Sequence, residues 1–411
     1  MNAKPEILFL AHRIPFPPDK GDKIRSWRLL QHLAQQHRVH LACFVDDPAD
    51  MVHAPRLRAL CETAAFVPLN RMGSLLRGAH ATMNNTPLTV GVYRDASMKQ
   101  IVDALRARPL VAEIVFSSTM AQYIETPVAG RPRIIDFCDA DSEKFDDYAS
   151  TAASPLRRLF AREGRLLRVA ENAIVNWADA SFAITPDEAE RFNARADVMR
   201  HVGWWSNGVD TDYFDPDAVL PATHATADIA FTGAMDYRAN IDAVAWFVKD
   251  VWPLVRDKTP DATFAIVGAK PARAVRELAT APGIRVTGRV DDIRPWIAGA
   301  KLAIAPLRIA RGIQNKVLEA MAMTTPVIAT GAAATGIRAA AGEEIVIADT
   351  PDAFAAATLT LLNDTDRCAK IGAAARARMV ADYQWNRQLS RFSAALDAAL
   401  SSDGASKSSA A

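Results

Sequence analysis

Gly312-Ile313-Gln314-Asn315-Lys316 lies between an apolar run ending Leu302-Ala303-Ile304-Ala305-Pro306 and a helical pattern, Val317-Leu318-Glu319-Ala320-Met321-Ala322. A glycine loop feeding a helix start offers unbonded backbone N–H groups and the positive end of the helix dipole to an anion such as pyrophosphate. Lys316 falls in the first turn, where that dipole disfavours a cation, so the lysine points to a ligand anion. Glu319, one turn further on, is placed to accept hydrogen bonds from a pair of ribose hydroxyls. A solvated glutamate beside Lys316 accounts for the same spacing equally well.

In the first half, Asp139-Ala140-Asp141 follows another strand-length run. Asp139 reads as a carboxylate that orients a hydroxyl, or takes its proton if burial raises its pKa. Asp141 and Ser142 read as the cap of the following helix. Paired carboxylates in this spacing also hold Mg²⁺ or Mn²⁺ against diphosphates, but helix starts and Lys or Arg side chains can do the ion's work here, so no obligatory metal is expected. His12, Arg13, Lys20, Lys23 and Arg25 surround Gly21 in a basic, proline-interrupted loop. A phosphate-facing loop and a charged surface loop share that composition, and only Gly21 adds the freedom for close backbone approach. The segment 155–168 carries five arginines against Glu163, with Leu156, Leu159, Phe160 and Leu167 on another face. It fits either an anionic membrane surface or ordinary packing with solvated arginines.

These residues need elements to hold them. Strand-length apolar runs at Glu6–Ala11, Val39–Val45, Glu113–Ser117, Arg133–Phe137 and Ala180–Thr185 alternate with helical patterns. That alternation predicts βαβ units and a mostly parallel sheet. The rhythm breaks at Trp204-Trp205-Ser206-Asn207-Gly208-Val209-Asp210 and resumes with runs at Ile229–Thr232, Thr263–Val267, Ile284–Thr287, Leu302–Ala305, Pro326–Ala329 and Ile345–Ala348. The expected organisation is therefore a Rossmann-like domain over 1–203, a linker over 204–221 and a second Rossmann-like domain over 222–382. A crossover helix over 383–400 and a disordered tail over 401–411 follow. Two such halves would bind ligands at the carboxyl edges of their sheets.

The 411 residues suit two domains, and 50% apolar content, 23% charge and a net charge of +1 exclude a disordered or nucleic-acid-coating chain. Cys43, Cys61, Cys138 and Cys368 stand singly, without zinc, redox or disulfide-scaffold spacing, which suits a reducing cytoplasm. No export signal or membrane-spanning run is visible, so the expected location is cytoplasmic, at the inner face of the membrane if 155–168 touches it.

The run GIQNKVLEAMAMTTPVIAT, from Gly312 to Thr330, resembles the donor-binding segment of GT-B glycosyltransferases of family 4. Further similar segments are Pro15–Arg25, Ser206–Asp210 with Tyr213–Pro216, Phe231-Thr232-Gly233, Ala265–Gly268 and Tyr383-Gln384-Trp385. Asp236-Tyr237 through Asn240, the run from Ile135 to Lys144 with Tyr148, and Arg162–Arg165 resemble more narrowly the sugar transferases of exopolysaccharide and PEP-CTERM/exosortase systems. The resemblance implies a GT-B fold, with the C-terminal helix returning to the first domain. By resemblance Glu319 would bind the ribose, Gly312, Ile313, Gln314, Asn315 and Lys316 the pyrophosphate and sugar, Gly233 the floor of the donor site, and Gly21 the phosphate side in the first domain.

Two departures matter. Where the family carries the first glutamate of a pair spaced by seven residues, this chain has Arg311, which would contact phosphate, face solvent or read an acidic sugar. The Arg and Lys common after the first strand of the second domain are missing; Arg238 is a displaced substitute, leaving Lys316 and Arg311 to neutralise the departing phosphate. Ser117-Ser118-Thr119 stands where family members often place a histidine, and no hydroxyl is a base by itself.

The implied function is retaining transfer of a sugar from a nucleotide-diphosphate sugar to a saccharide or lipid-linked oligosaccharide. Asp139, Lys316 and Arg311 would act as catalytic groups, with no cofactor beyond the substrate and no nucleic-acid partner. A nucleotide-sugar 2-epimerase of the same architecture and a non-catalytic sugar-nucleotide-binding subunit are the alternatives.

Overall fold

The structure is a computed structural model describing residues 4–219, 226–310 and 312–408, with side chains throughout except at 71, 72, 74–76, 79, 151 and 402–408. It divides into two compact units, Met1–Trp205 with Leu389–Ala411, and Ser206–Gln388.

In the first unit seven strands form one parallel sheet: β1 (Glu6–Ala11), β2 (Arg38–Val45), β3 (Thr63–Pro68), β4 (Leu110–Phe116), β5 (Arg133–Cys138), β6 (Ala180–Ala183) and β7 (Val202–Trp204). Their order is β3-β2-β1-β4-β5-β6-β7. Helices cover both faces, which is why the central strands read as unbroken apolar runs: Ile7 through Ala11 are fully buried. The two strands with no counterpart in the sequence reading, β3 and β7, are the sheet's edges. Only Val67 is buried in β3, and β7 has three residues, too few to carry a period.

The second unit holds six parallel strands: β8 (Ala227–Thr232), β9 (Phe264–Val267), β10 (Ile284–Gly288), β11 (Ala300–Ala305), β12 (Val327–Ala329) and β13 (Val346–Ile347). Their order is β10-β9-β8-β11-β12-β13. In each sheet the chain runs outward to one edge, then returns to continue on the other side of the first strand. The winding therefore reverses between β1 and β4, and between β8 and β11. Open α/β sheets bind ligands at the carboxyl ends of the strands flanking such a reversal.

The expected linker over 204–221 is not a free segment where it is described. Trp204 closes β7, Trp205 is fully buried in the first unit, and Ser206, Asn207 and Val209 are buried in the second. A Cβ on Gly208 would meet the Tyr383 carbonyl at 2.6 Å, and the Val209 N–H donates to that carbonyl at 2.7 Å. The irregular sequence therefore reflects close backbone packing against Tyr383-Gln384-Trp385.

The helix Trp385–Ser408 carries the chain back into the first unit. There Phe392 packs against Phe182 and Trp205, Arg391 lies 3.4 Å from the Trp204 ring centroid, and Ser393 meets His32 at 2.6 Å. The expected disorder from 401 does not hold through Ser408, which is still helical. Small polar residues do not stop a helix when no proline interrupts them. Among the described residues no helix is long and apolar enough to cross a membrane.

Candidate functional site

At the reversal point of the second sheet, β8 ends at Thr232 and leads into Gly233, whose φ is 153°. A Cβ there would lie 2.8 Å from Asn240 Nδ2 and 3.2 Å from Lys316 Nζ, so the missing side chain is what leaves space for the lysine. A Cβ on Gly268, at the end of β9, would come 1.7 Å from the Gly233 carbonyl oxygen. The two glycines let adjacent strand ends close over one another.

From the other flank, β11 leads to Gly312, with φ 62°, and to the helix Asn315–Ala322. Gly312 and Ile313 are buried, and the N-cap, Gln314, makes no side-chain capping hydrogen bond among the described residues. Asn315 is held from the Ser206–Asp210 segment, where Asn207 Nδ2 donates to its Oδ1 at 3.0 Å. Lys316 donates to Asn240 Oδ1 and lies 4.4 Å from the centroid of Phe231. Asn240 Nδ2 donates to the Ala234 carbonyl at 2.8 Å, so the amide is locked with its oxygen toward the lysine. These contacts offset the dipole's opposition to a cation in the first turn.

Burial lowers the Lys316 pKa to about 7, against the pull of Glu319, and burial raises Glu319 to about 7, against the pull of Lys316. Paired groups poised near neutrality beside a helix start suit the binding of an anion. Arg238 begins the helix Arg238–Trp246 and is exposed, while Arg311 lies outside the described residues. The sequence reading missed Asn240 as the lysine's partner; the signal was its place in the Asp236–Asn240 run.

Beside Glu319, Tyr213 stacks under Arg294, 3.9 Å from guanidinium carbon to ring centroid, and Arg294 forks onto Asp292.

The first sheet presents a different set. Gly21 opens the helix Gly21–Gln36, is exposed and takes no left-handed φ. Within that helix Arg25 forms two hydrogen bonds to Asp136 at 2.8 and 2.9 Å, both side chains fully buried, and lies 3.3 Å from the Trp205 ring centroid. Asp136 in turn accepts from the Cys138 N–H at 3.1 Å, fixing the turn in which Cys138 has φ 67° and from which Asp139 projects. Burial raises the Asp139 pKa to about 7, and the nearby Glu188 and Asp141 add to the rise.

The expected cap by Asp141 and Ser142 is not what forms. Asp141 is already the first helical residue, and the N–H groups of Ala140 and Ser142 donate to Glu188 and Glu171 at 3.0 and 2.9 Å. Two distant glutamates satisfy the helix start, a contact that local sequence cannot reveal. Among the described residues no group of three or more His, Cys, Asp or Glu is arranged to hold a metal ion.

Two parallel sheets with these reversal points recur in solved structures. Over 96% of this chain and 99% of theirs, the Anabaena HepE coordinates in complex with UDP and glucose align with 15% identity and a TM-score of 0.65. Sucrose-phosphate synthase from Thermosynechococcus elongatus aligns over 96% of this chain and 100% of its own, with 18% identity and a TM-score of 0.68. WaaG, a glycosyltransferase involved in lipopolysaccharide biosynthesis, aligns over 95% and 98%, with 13% identity and a TM-score of 0.64. No curated protein sequence matches the chain. The fold is thus GT-B, as expected. Residues 226–364, within the second unit, match the family Glycosyl transferases group 1.

Proposed function

We propose that this transferase moves a sugar, with retention of anomeric configuration, from a nucleotide-diphosphate sugar to a saccharide carried on a lipid in exopolysaccharide assembly of the PEP-CTERM/exosortase type. One observation carries the donor reading: Lys316, braced by Asn240 in the space Gly233 leaves, stands in the first turn of the helix that starts at the reversal point of the second sheet. The diphosphate would lie on that helix start with Lys316 as counter-charge, and Glu319 would accept from the ribose hydroxyls. Lys316 and the helix start meet the charge of the departing diphosphate, so no metal is required. The bond from the anomeric carbon to phosphate breaks as the acceptor oxygen bonds that carbon. The acceptor proton passes to the leaving phosphate oxygen on the same face, while Asp139 orients the hydroxyl.

The lipid-linked acceptor has its support on the first unit. The helix Leu156–Trp177 begins with Leu156, Arg157, Arg158 and Leu159 all exposed, and Glu163 turns inward to accept from the Leu88 and Thr89 N–H groups at 2.8 Å. What it shows to solvent there is apolar and cationic, a pattern suited to anionic lipid at the cytoplasmic face.

The experiment is transfer from a nucleotide sugar to saccharide acceptors, with the product linkage read by NMR. Lys316→Ala and Glu319→Ala should each abolish transfer, EDTA should leave it intact, and the product should keep the donor's anomeric configuration. An inverted product would remove the mechanism, and full activity in both variants would remove the site.

A further inference from the structure

From Leu389 onward the helix Trp385–Ser408 belongs to the first unit. Leu389, Phe392 and Leu396 are buried, at the three- and four-residue spacing of one helical face. Ser393 and Asp397, one turn apart, follow that stripe along its edge. Both meet a histidine.

The two histidines come from a single element. His32 lies in the last part of the helix Gly21–Gln36, and His37 is its C-cap. His32 Nε2 and Ser393 Oγ are 2.6 Å apart. His37 is 9% exposed, and its Nδ1 is buried with no hydrogen-bond partner among the described residues. Lys4, from the segment before β1, reaches the same helix end, where its Nζ donates to the Ala34 carbonyl at 3.3 Å.

The charges that act on this pair are few. Burial lowers the His32 pKa, and the neighbouring His37 lowers it further. Burial also lowers the His37 pKa, with Lys4 adding to the fall and the Leu33 backbone and Asp397 opposing it. A single carboxylate, Asp397, therefore faces Lys4 and two histidines. The interface tolerates the histidines neutral and disfavours them charged.

We propose that His32 and His37 form a proton-operated latch for the crossover helix: neutral, they let it lie on the first unit, and protonated, they loosen it from Leu389 onward. Protonating both sets three cations around one carboxylate in a contact partly closed to water, where like charges repel more strongly than at the surface. The charged His32 ring also has no acceptor nitrogen, so Ser393 can then only accept from it. Each histidine is disfavoured in its charged form by folding. Its contribution is thus complete above about pH 6.5, the ordinary histidine value, and is lost as the pH falls below it. The loosened helix carries Arg391 and Phe392, which pack on Trp204 and Trp205 where the chain leaves the first unit. The latch does not depend on the donor reading.

Hydrogen exchange of the full chain, read by mass spectrometry at pH 7.5 and 5.5 and corrected for the intrinsic pH dependence of exchange, tests it. Protection of peptides within 389–401 should fall at least about tenfold at the lower pH, while that of Glu6–Ala11 holds. His32→Gln with His37→Gln should remove the difference. Ring-proton NMR of the wild type needs no folded variant, and both histidines should titrate below about 6.5.

Protection of 389–401 that is the same at both pH values would overturn the latch, as would a loss shared equally by Glu6–Ala11. A double variant that keeps the wild-type pH dependence, or histidines that titrate at or above the ordinary value, would overturn it too.

Discussion

Lys316 and Glu319 sit one helical turn apart, and burial works against the charge of each while the other's charge works for it. A diphosphate placed against Lys316 adds negative charge and must raise its pKa from about 7, so binding should draw a proton from solution just above neutrality. Calorimetric titration of UDP at pH 7.5 in buffers of differing ionisation enthalpy should show net proton uptake, abolished in Lys316→Met. Heats that do not depend on the buffer would mean that the lysine does not meet the phosphate. Gly233 and Asn240 belong to the same unit of chemistry: one leaves the space, the other supplies the oxygen that holds the amine there. A sequence shows a glycine after a strand and an asparagine in a helix, but not that they are joined through a lysine far along the chain.

At the scale of elements, the first unit is wired through Arg25, which ties the helix Gly21–Gln36 to β5 and to the Trp205 carbonyl. Arg25→Met strands a buried carboxylate at Asp136, and urea unfolding should show a loss of about 3–5 kcal/mol. Arg25→Met with Asp136→Leu should recover most of that loss, because no unpaired charge remains. A double variant as unstable as the single would mean the pair holds the fold by shape alone. The central strands of both sheets were legible because parallel strands covered on both faces must be apolar throughout, as Ile7–Ala11 and Phe264–Val267 are. The edge strands β3 and β7 were not, since nothing in a short, half-solvated strand sets it apart. The Gly312–Glu319 loop was legible through its glycine, its lysine and the helix that follows.

For the whole molecule, the proposed lipid-linked acceptor predicts that the exposed helix start at Leu156–Leu159 attaches to lipid. Sedimentation with vesicles of phosphatidylcholine and phosphatidylglycerol should bring the protein down in a salt-sensitive manner. Arg157→Glu with Arg158→Glu should release it, the charge reversal acting through about 1 kcal/mol per cation near the surface. Equal binding to uncharged vesicles would assign the helix to packing instead. The central claim is that the Gly312–Glu319 helix start holds a nucleotide-sugar diphosphate. It is tested most directly by the melting temperature of wild-type and Glu319→Ala protein titrated with UDP-, GDP-, ADP- and dTDP-sugars, since a ligand bound only by the folded state raises that temperature. The prediction is that one of these donors stabilises the wild type in a saturable way and the variant far less. A set of donors that leaves the wild type unmoved, or shifts both proteins alike, would contradict it.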